Sequence, residues 1–139
     1  MIFVTDSEFM KSEDYLNFMS ANPGKGNLKI RVYAASEALP VSGLHIIVST
    51  VISGKNIIFY DGYTDTSGMI NTLSLPAPEM STNNLSIPIT TTYNISAIDV
   101  LSGNEKDYPI NMYDGICVVQ NINFIPEGGN NGNSLSRST

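Results

Sequence analysis

The sequence offers one residue that could act as a catalytic base at neutral pH. His45 is its single histidine, so a Ser-His-Asp or Cys-His site would have to use it. It alternates with the apolar Leu44 and Ile46, as a solvent-facing side chain on a strand does. The sequence also lacks a G-x-S-x-G elbow, a phosphate-binding glycine loop and histidine-rich metal spacing. We therefore predict a protein that is not an enzyme and has no catalytic residue, cofactor or metal ion.

The single cysteine, Cys117, is the other candidate for chemistry. It cannot form a disulfide within the chain, so packing alone must hold the fold. A reactive thiol needs a basic neighbourhood, and the sequence has seven Lys and Arg against thirteen Asp and Glu. We predict a buried or half-buried, inert thiol at this position.

Two carboxylates, Asp61 and Asp65, lie close enough in sequence to share a calcium ion with backbone carbonyls. The D-x-D-x-D-G spacing and the bidentate glutamate of a calcium loop are missing. An aspartate also accepts hydrogen bonds from backbone groups two residues further on, which is common in turns. We interpret both residues as turn formers.

The net charge and the hydropathy of the chain restrict the classes of partner that it can bind. The net charge of -6 repels a nucleic-acid backbone, and no stretch approaches the roughly 20 apolar residues that span a bilayer. The chain begins Met1-Ile2-Phe3-Val4 without a preceding Lys or Arg, and the apolar run stops at residues 5–6. We expect no nucleic acid, no membrane insertion and synthesis in the cytoplasm without a signal peptide.

Two elements precede the main domain. Residues 2–5 are apolar and β-branched, which predicts a strand or an extended arm. A helix follows, with Ser12 as its N-cap and a stop at residues 22–24. Its apolar stripe fits packing on the protein's own body, and partner binding is the alternative. The candidate partner-binding residues are Ile2, Phe3, Val4, Tyr15, Leu16 and Met19.

From residue 28 onward the apolar period is two, which predicts strands. Seven strands separated by turns are expected at or near residues 28–33, 44–52, 57–60, 69–75, 91–100, 108–112 and 116–125. Prolines 76, 78 and 88 predict a long loop after the fourth strand. Gly68 and Gly115 sit in turns where a positive φ is expected. The predicted core consists of Ile30, Val32, Ile46, Val48, Tyr93, Ile95, Val118 and Ile122.

Several motifs carry a family resemblance. GNLKIRV at 26–32, ALPVSG at 38–43 and TDTSG at 64–68 resemble carboxypeptidase regulatory-like domains, which have a transthyretin-like fold. LPAP at 75–78, YNISA at 93–97, YDG at 113–115 and IP at 125–126 are similar to the clostridial branch, including the N-terminal non-catalytic domain of spore cortex-lytic enzymes. The resemblance implies an all-β, seven-stranded antiparallel transthyretin-like or Ig-like sandwich with a short N-terminal helix and an arm.

The predicted division is an arm and helix at 1–25, a sandwich at 26–127 and a flexible Gly/Asn/Ser tail at 128–139. The family is an accessory module, so a free-standing copy suggests a structural, assembly or docking protein in a spore layer, surface filament or phage particle. We expect copies of the same chain as partners, with the arm pairing to an edge strand of a neighbouring copy.

Two other functions stay open. A peptidoglycan- or carbohydrate-binding module could use tyrosines as stacking platforms, although the absence of Trp weakens that hypothesis. The other is an accessory subunit of a separate hydrolase. The tyrosines that could stack on a sugar in the carbohydrate-binding hypothesis are Tyr33, Tyr60, Tyr63, Tyr93, Tyr108 and Tyr113.

Related surface-adhesin sandwiches crosslink a first-strand lysine to a last-strand asparagine. Lys29 with Asn121 or Asn123 would supply that pair here. Lys29 alternates with two residues predicted to be buried, so its amine should face water and keep the charge that prevents this chemistry. We predict no crosslink.

Overall fold

Strands make up most of the described chain, as the period of two predicts. The computed structural model describes residues 3–4, 11–34, 39–79 and 90–124, and all structural statements concern these residues. In chain order the elements are β1 (Phe3–Val4), α1 (Glu13–Ala21), β2 (Gly24–Ala34), β3 (Leu39–Pro40), β4 (His45–Ile52), β5 (Lys55–Tyr63), β6 (Leu73–Ala77), β7 (Thr91–Ile98), β8 (Glu105–Met112) and β9 (Cys117–Asn123).

The strands form two sheets. One has the order β1-β5-β4-β7-β8. In the other, β2 is central, with β6 and β3 antiparallel to it and β9 parallel to it. The predicted all-β sandwich with one short helix is confirmed. The described chain has nine strands in place of seven, because β1 and β3 are two-residue strands without a period to detect, and β1–β5 and β2–β9 are parallel pairs.

The core lies between the sheets. Seven of the eight predicted core residues are buried: Ile30, Val32, Ile46, Val48, Tyr93, Ile95 and Ile122. The prediction for Val118 was too strong, because this side chain is only partly buried where it packs against the core. It lies near the start of β9, which has a neighbouring strand on one side only among the described residues.

The fourth predicted strand and the loop after it need a correction. β6 continues through Pro76 to Ala77, and Pro76 lies opposite Lys25 of β2. Proline is tolerated there because β6 is an edge strand, so no neighbour on its outer side needs the missing N–H. Pro78 follows the strand, and Pro88 lies outside the described residues.

Helix α1 begins and ends where the sequence predicts. The Ser12 Oγ accepts a hydrogen bond from the Tyr15 N–H at 3.3 Å, and Asn22 is the C-cap. Asn22 also donates to the Phe18 carbonyl at 2.8 Å and accepts from the Thr91 hydroxyl, which ties the helix end to β7. No helix in the described residues is long and apolar enough to cross a membrane.

The turns at Gly68 and Gly115 have the predicted positive φ, at 75° and 77°. A Cβ on Gly68 would lie 2.4 Å from the Val32 carbonyl oxygen, whereas one on Gly103, also at positive φ, meets nothing within 4 Å. We expect Gly103→Ala to cost about 1–2 kcal/mol through the left-handed backbone. Gly68→Ala should cost at least about 1 kcal/mol more, since backbone must also move. Chemical denaturation of both variants checks this, and equal losses would contradict it.

The tyrosine at the centre of the core gives a pH-dependent prediction. Tyr93 is 1% exposed, and its hydroxyl donates to the Pro76 carbonyl at 2.6 Å. Burial, followed by the nearby Tyr15, raises the pKa of Tyr93 above its ordinary value of 10.0. Because the folded pKa is the higher one, this stabilisation is present below about pH 10 and is lost as the pH rises further.

We therefore expect wild type to lose more stability than Tyr93→Phe between about pH 9 and pH 11. At neutral pH the variant should be less stable by about 1 kcal/mol, the worth of the lost hydrogen bond. Burial also raises the pKa of Tyr60 and Tyr108, but both remain in each protein and cancel in the comparison. Denaturation midpoints across this pH range test the prediction, and parallel pH profiles would contradict it.

Candidate functional site

Strand β9 presents a backbone edge that no other described strand covers. The Ile116 carbonyl accepts from the Asn27 N–H at 2.9 Å, and the Phe124 N–H donates to the Tyr33 carbonyl at 2.7 Å. In a parallel ladder alternate residues direct both backbone groups to the same neighbour, so the even-numbered residues of β9 bond β2. The residues whose N–H and C=O groups point away from β2 are Cys117, Val119, Asn121 and Asn123.

The β9 edge lacks the features that protect the other edges. Natural sheets block exposed edges with charge, proline or a covering segment. In this chain β8 carries charges and a proline, β6 and β3 each carry a proline, and β1 covers β5 at Asn56 and Ile57. By contrast, β9 reads CVVQNIN, with no charged residue and no proline. The described part of the chain therefore leaves this edge suited to adding another strand.

The surface beside this edge combines apolar and basic side chains. Val119 is 48% exposed on the outer side of the sheet, and Ile116 is exposed just before the strand. Lys29 and Arg31 are exposed on the neighbouring strand. The Arg31 Nη2 donates to the Tyr33 hydroxyl at 2.6 Å, and its guanidinium lies 5.2 Å from the ring centre. This contact fixes the arginine next to β9.

The N-terminal arm pairs on the five-stranded sheet and not at the β9 edge. Ile2 is outside the described residues, and β1 pairs in parallel with β5 of the same chain, Phe3 opposite Asn56 and Val4 opposite Ile57. In the single chain the arm therefore lies on its own sheet, and its pairing with an edge strand of a neighbouring copy stays a prediction. The physical reason for the pairing within the chain is that β5 is an edge strand of its own chain, and a tethered segment meets it at high effective concentration.

The three helix candidates do not form one surface. Tyr15 packs against the small cluster of Ile52 and Ile57. Met19 is half-buried, whereas Leu16 is 55% exposed. Partner binding by these residues stays a prediction. The sequence analysis missed Phe18, which packs on the core with its ring 6.0 Å from that of Phe59; it lies one turn before Asn22, on the face that meets β7.

His45 is half-buried and paired, which the alternation alone did not reveal. Its Nε2 lies 2.6 Å from the Asp61 Oδ1, and its ring stacks on Tyr63 at 4.7 Å between centres. The register explains the contact, because His45 lies opposite Tyr63 and Ile47 opposite Asp61 in the β4–β5 pair. Within the described residues the hydrogen-bond and ion-pair partner of this histidine is Asp61, not a serine or cysteine nucleophile.

The prediction of a buried or half-buried thiol was wrong, because Cys117 is exposed. It alternates along β9 with Val118, which is partly buried. The outer face of β9 has no covering layer in the described residues, so an outward side chain there reaches solvent. The thiol therefore lies on the open edge described above.

The remaining candidates behave as turn and surface residues. Asp65 is a turn former as predicted, its Oδ1 accepting from the N–H groups of Ser67 at 2.8 Å and Met69 at 3.1 Å. Asp61 pairs with His45 within a strand, so its interpretation as a turn former was wrong. Lys29 is exposed, as its alternation predicts. No group of three or more His, Cys, Asp and Glu in the described residues could hold a metal ion.

A polar network on the outer face of the five-stranded sheet escaped the sequence analysis. The Ser96 hydroxyl donates to the Asp107 Oδ1 at 2.9 Å, and the Asn94 amide donates to both. Burial raises the pKa of Glu105, with Asp107 acting in the same direction. The pKa of Asp107 is lowered, because hydrogen bonds from Asn94, Ser96 and Glu105 outweigh burial.

The tyrosines do not form a common stacking platform. Tyr63 is the most exposed of the six, at 57%, and its ring is already stacked on His45. Tyr93 is buried, and the other four are half-buried in the described structure: Tyr33, Tyr60, Tyr108 and Tyr113.

Comparison with known proteins gives a likeness of fold. No family model and no curated protein matches the sequence. Among solved structures, 5-hydroxyisourate hydrolase of Klebsiella pneumoniae is similar with a TM-score of 0.42 and 14% identity, over 68% of this chain and 90% of that one. Transthyretin of Sparus aurata has a TM-score of 0.43 and 13% identity, over 66% and 85%. Both have the transthyretin-like fold, and similarity of this size carries no argument about what the chain does.

Proposed function

We propose that the chain is a non-enzymatic assembly module that joins another copy of itself by backbone pairing along β9. The observation that supports this function is the open edge of β9, whose odd-numbered residues direct N–H and C=O groups away from β2. Each hydrogen bond formed there would contribute about 0.5–1.5 kcal/mol net. Exclusion of water from Val119 would add an apolar contribution.

A second copy can pair along β9 without placing like charges opposite one another on the two strands. If two β9 strands pair antiparallel around a two-fold axis, both strands of the interface have the same sequence, and each residue of one lies opposite a β9 residue of the other. Like charges opposite one another are destabilising in a sheet, and β9 contains none. Self-pairing therefore carries no direct charge repulsion along the strand, despite the net charge of -6 on each chain.

The N-terminal arm supports this proposal, because it already adds a strand to a sheet edge within the chain. Phe3–Val4 extends the five-stranded sheet by pairing with two residues of β5, so part of that edge is covered by a segment of the chain itself. The corresponding edge at β9 has no such cover among the described residues. We propose that a partner strand supplies it.

Light scattering during size-exclusion chromatography tests the proposal. A single pair of seven-residue strands is small beside the roughly 1,200–2,000 Å² buried in stable interfaces, so the apparent mass should rise with protein concentration. A mass that stays monomeric at all concentrations would contradict self-assembly. A stable complex with a hydrolase but no self-association would favour the accessory-subunit alternative.

The wider setting rests on the family resemblance. The likeness to the clostridial branch and a place in a spore layer, surface filament or phage particle stay predictions, as does the site at which the protein works. Negative-stain imaging of concentrated protein would distinguish closed dimers from filaments, because an isologous contact closes and a head-to-tail contact does not.

A further inference from the structure

A cleft of about 540 Å³ opens where α1 approaches β4 and β7, on the other sheet from β9. Its volume lies within the range of small-molecule sites. Three apolar side chains at the cleft, Phe18, Val51 and Pro109, are partly or well exposed. The described residues that line it are Phe18, Asn22, Ser49, Thr50, Val51, Asn56, Thr90, Thr91, Thr92, Tyr93, Asn94 and Pro109.

The polar lining of this cleft is neutral. It consists of hydroxyls and carboxamides from one serine, four threonines and three asparagines, and no charged side chain is among its described residues. Hydroxyls and carboxamides both donate and accept hydrogen bonds. Without a cation to pair with it, a carboxylate or phosphate would lose hydration without compensation. The lining therefore favours an uncharged ligand with many hydroxyl groups.

Ser49 supplies an independent indication that a ligand belongs here. Its side chain is 1% exposed, and its Oγ has no hydrogen-bond partner in the described structure. The neighbouring hydroxyls are satisfied, since Thr50 donates to the Thr92 carbonyl at 2.7 Å and Thr92 donates to the Asn111 Oδ1 at 2.8 Å. A buried hydroxyl without a partner destabilises a protein. The Oγ has almost no accessible surface in the unliganded chain, so a ligand in the cleft would supply the missing partner once the Ser49 side chain turns towards it.

We propose that the cleft binds a neutral saccharide. The ring hydroxyls meet Ser49, Asn56 and Asn94, and the apolar face of the sugar lies against the exposed Val51 and Pro109. This binding function is separate from assembly through β9, because the two sites lie on different sheets and share no residue.

An NMR titration of the full ¹⁵N-labelled chain tests the proposal with defined probes. Hexa-N-acetylchitohexaose and maltohexaose are the neutral oligosaccharides, and an oligogalacturonic acid of matched length is the charged control. We expect saturable shifts at the amides of Ser49 and Asn94 with at least one neutral probe and none with the acid. The proposal is overturned if neither neutral probe shifts these amides, or if the acid shifts them equally.

Ser49→Ala separates a ligand-binding role from a structural one. Removing a hydroxyl that contacts the sugar should weaken binding about tenfold, while removing an unpartnered buried polar group should raise the melting temperature. Ser74→Ala, at an exposed position on β6, is the matched control and should change neither quantity. Unchanged affinity for the binding oligosaccharide in Ser49→Ala would contradict the proposed contact.

Discussion

Ile95→Ala is expected to lower the free energy of unfolding by about 2–5 kcal/mol. Ile95 is fully buried in the middle of β7, opposite Val48 of β4 and Tyr108 of β8. Truncation removes three methyl or methylene groups from the core and leaves a cavity between the sheets. Strands on both sides restrain β7, so the surroundings have little freedom to collapse into the space.

Ile116→Ala is the matched control, because it deletes the same atoms from an isoleucine that is exposed just before β9. We expect it to cost less than about 1 kcal/mol. Urea denaturation of the two variants and wild type gives both numbers. Similar losses for the two would show that the inward side of β7 is not the core face.

Val119→Pro is expected to abolish self-association while leaving the domain folded. The N–H of Val119 points away from β2, so proline removes a donor that the chain's own sheet does not use. A partner strand would lose that hydrogen bond and meet the proline ring, and we expect association to weaken by at least about 100-fold, the equivalent of about 2.7 kcal/mol.

Val119→Ala separates the backbone from the side chain in this experiment. It keeps the N–H and removes only part of an exposed apolar surface, so the dissociation constant should change by less than about tenfold. Sedimentation equilibrium measures both constants, and near-UV circular dichroism verifies the fold. If the proline variant associates as wild type does, pairing along β9 is excluded even though the sandwich is correct.

Local patterns in the sequence were sufficient to predict most strands and turns of the sandwich. Alternation in β2 and β7 predicted which side chains are buried, since parity follows directly from strand geometry. The turn at Gly68 was recognisable because few residues other than glycine tolerate its φ. The N-cap at Ser12 followed from the same local chemistry.

Features that depend on contacts between distant segments could not be read from those patterns. The parallel β2–β9 pair joins residues about 90 positions apart, and no local signal gives its direction or its edge position. The exposure of Cys117 depends on that topology. The Ser96–Asp107 contact depends on the β7–β8 register, and the cleft at Ser49 depends on how α1 meets the sheet.

The most direct measurement of docking through β9 is residue-resolved amide hydrogen exchange at low and high protein concentration. In dilute protein the N–H groups of Val118 and Gln120, which face β2, should be protected, while those of Val119 and Asn121 exchange quickly. As concentration rises, Val119 and Asn121 should become protected and their neighbours should change little. Rapid exchange of Val119 and Asn121 in protein that light scattering shows to be associated would contradict β9 as the docking edge.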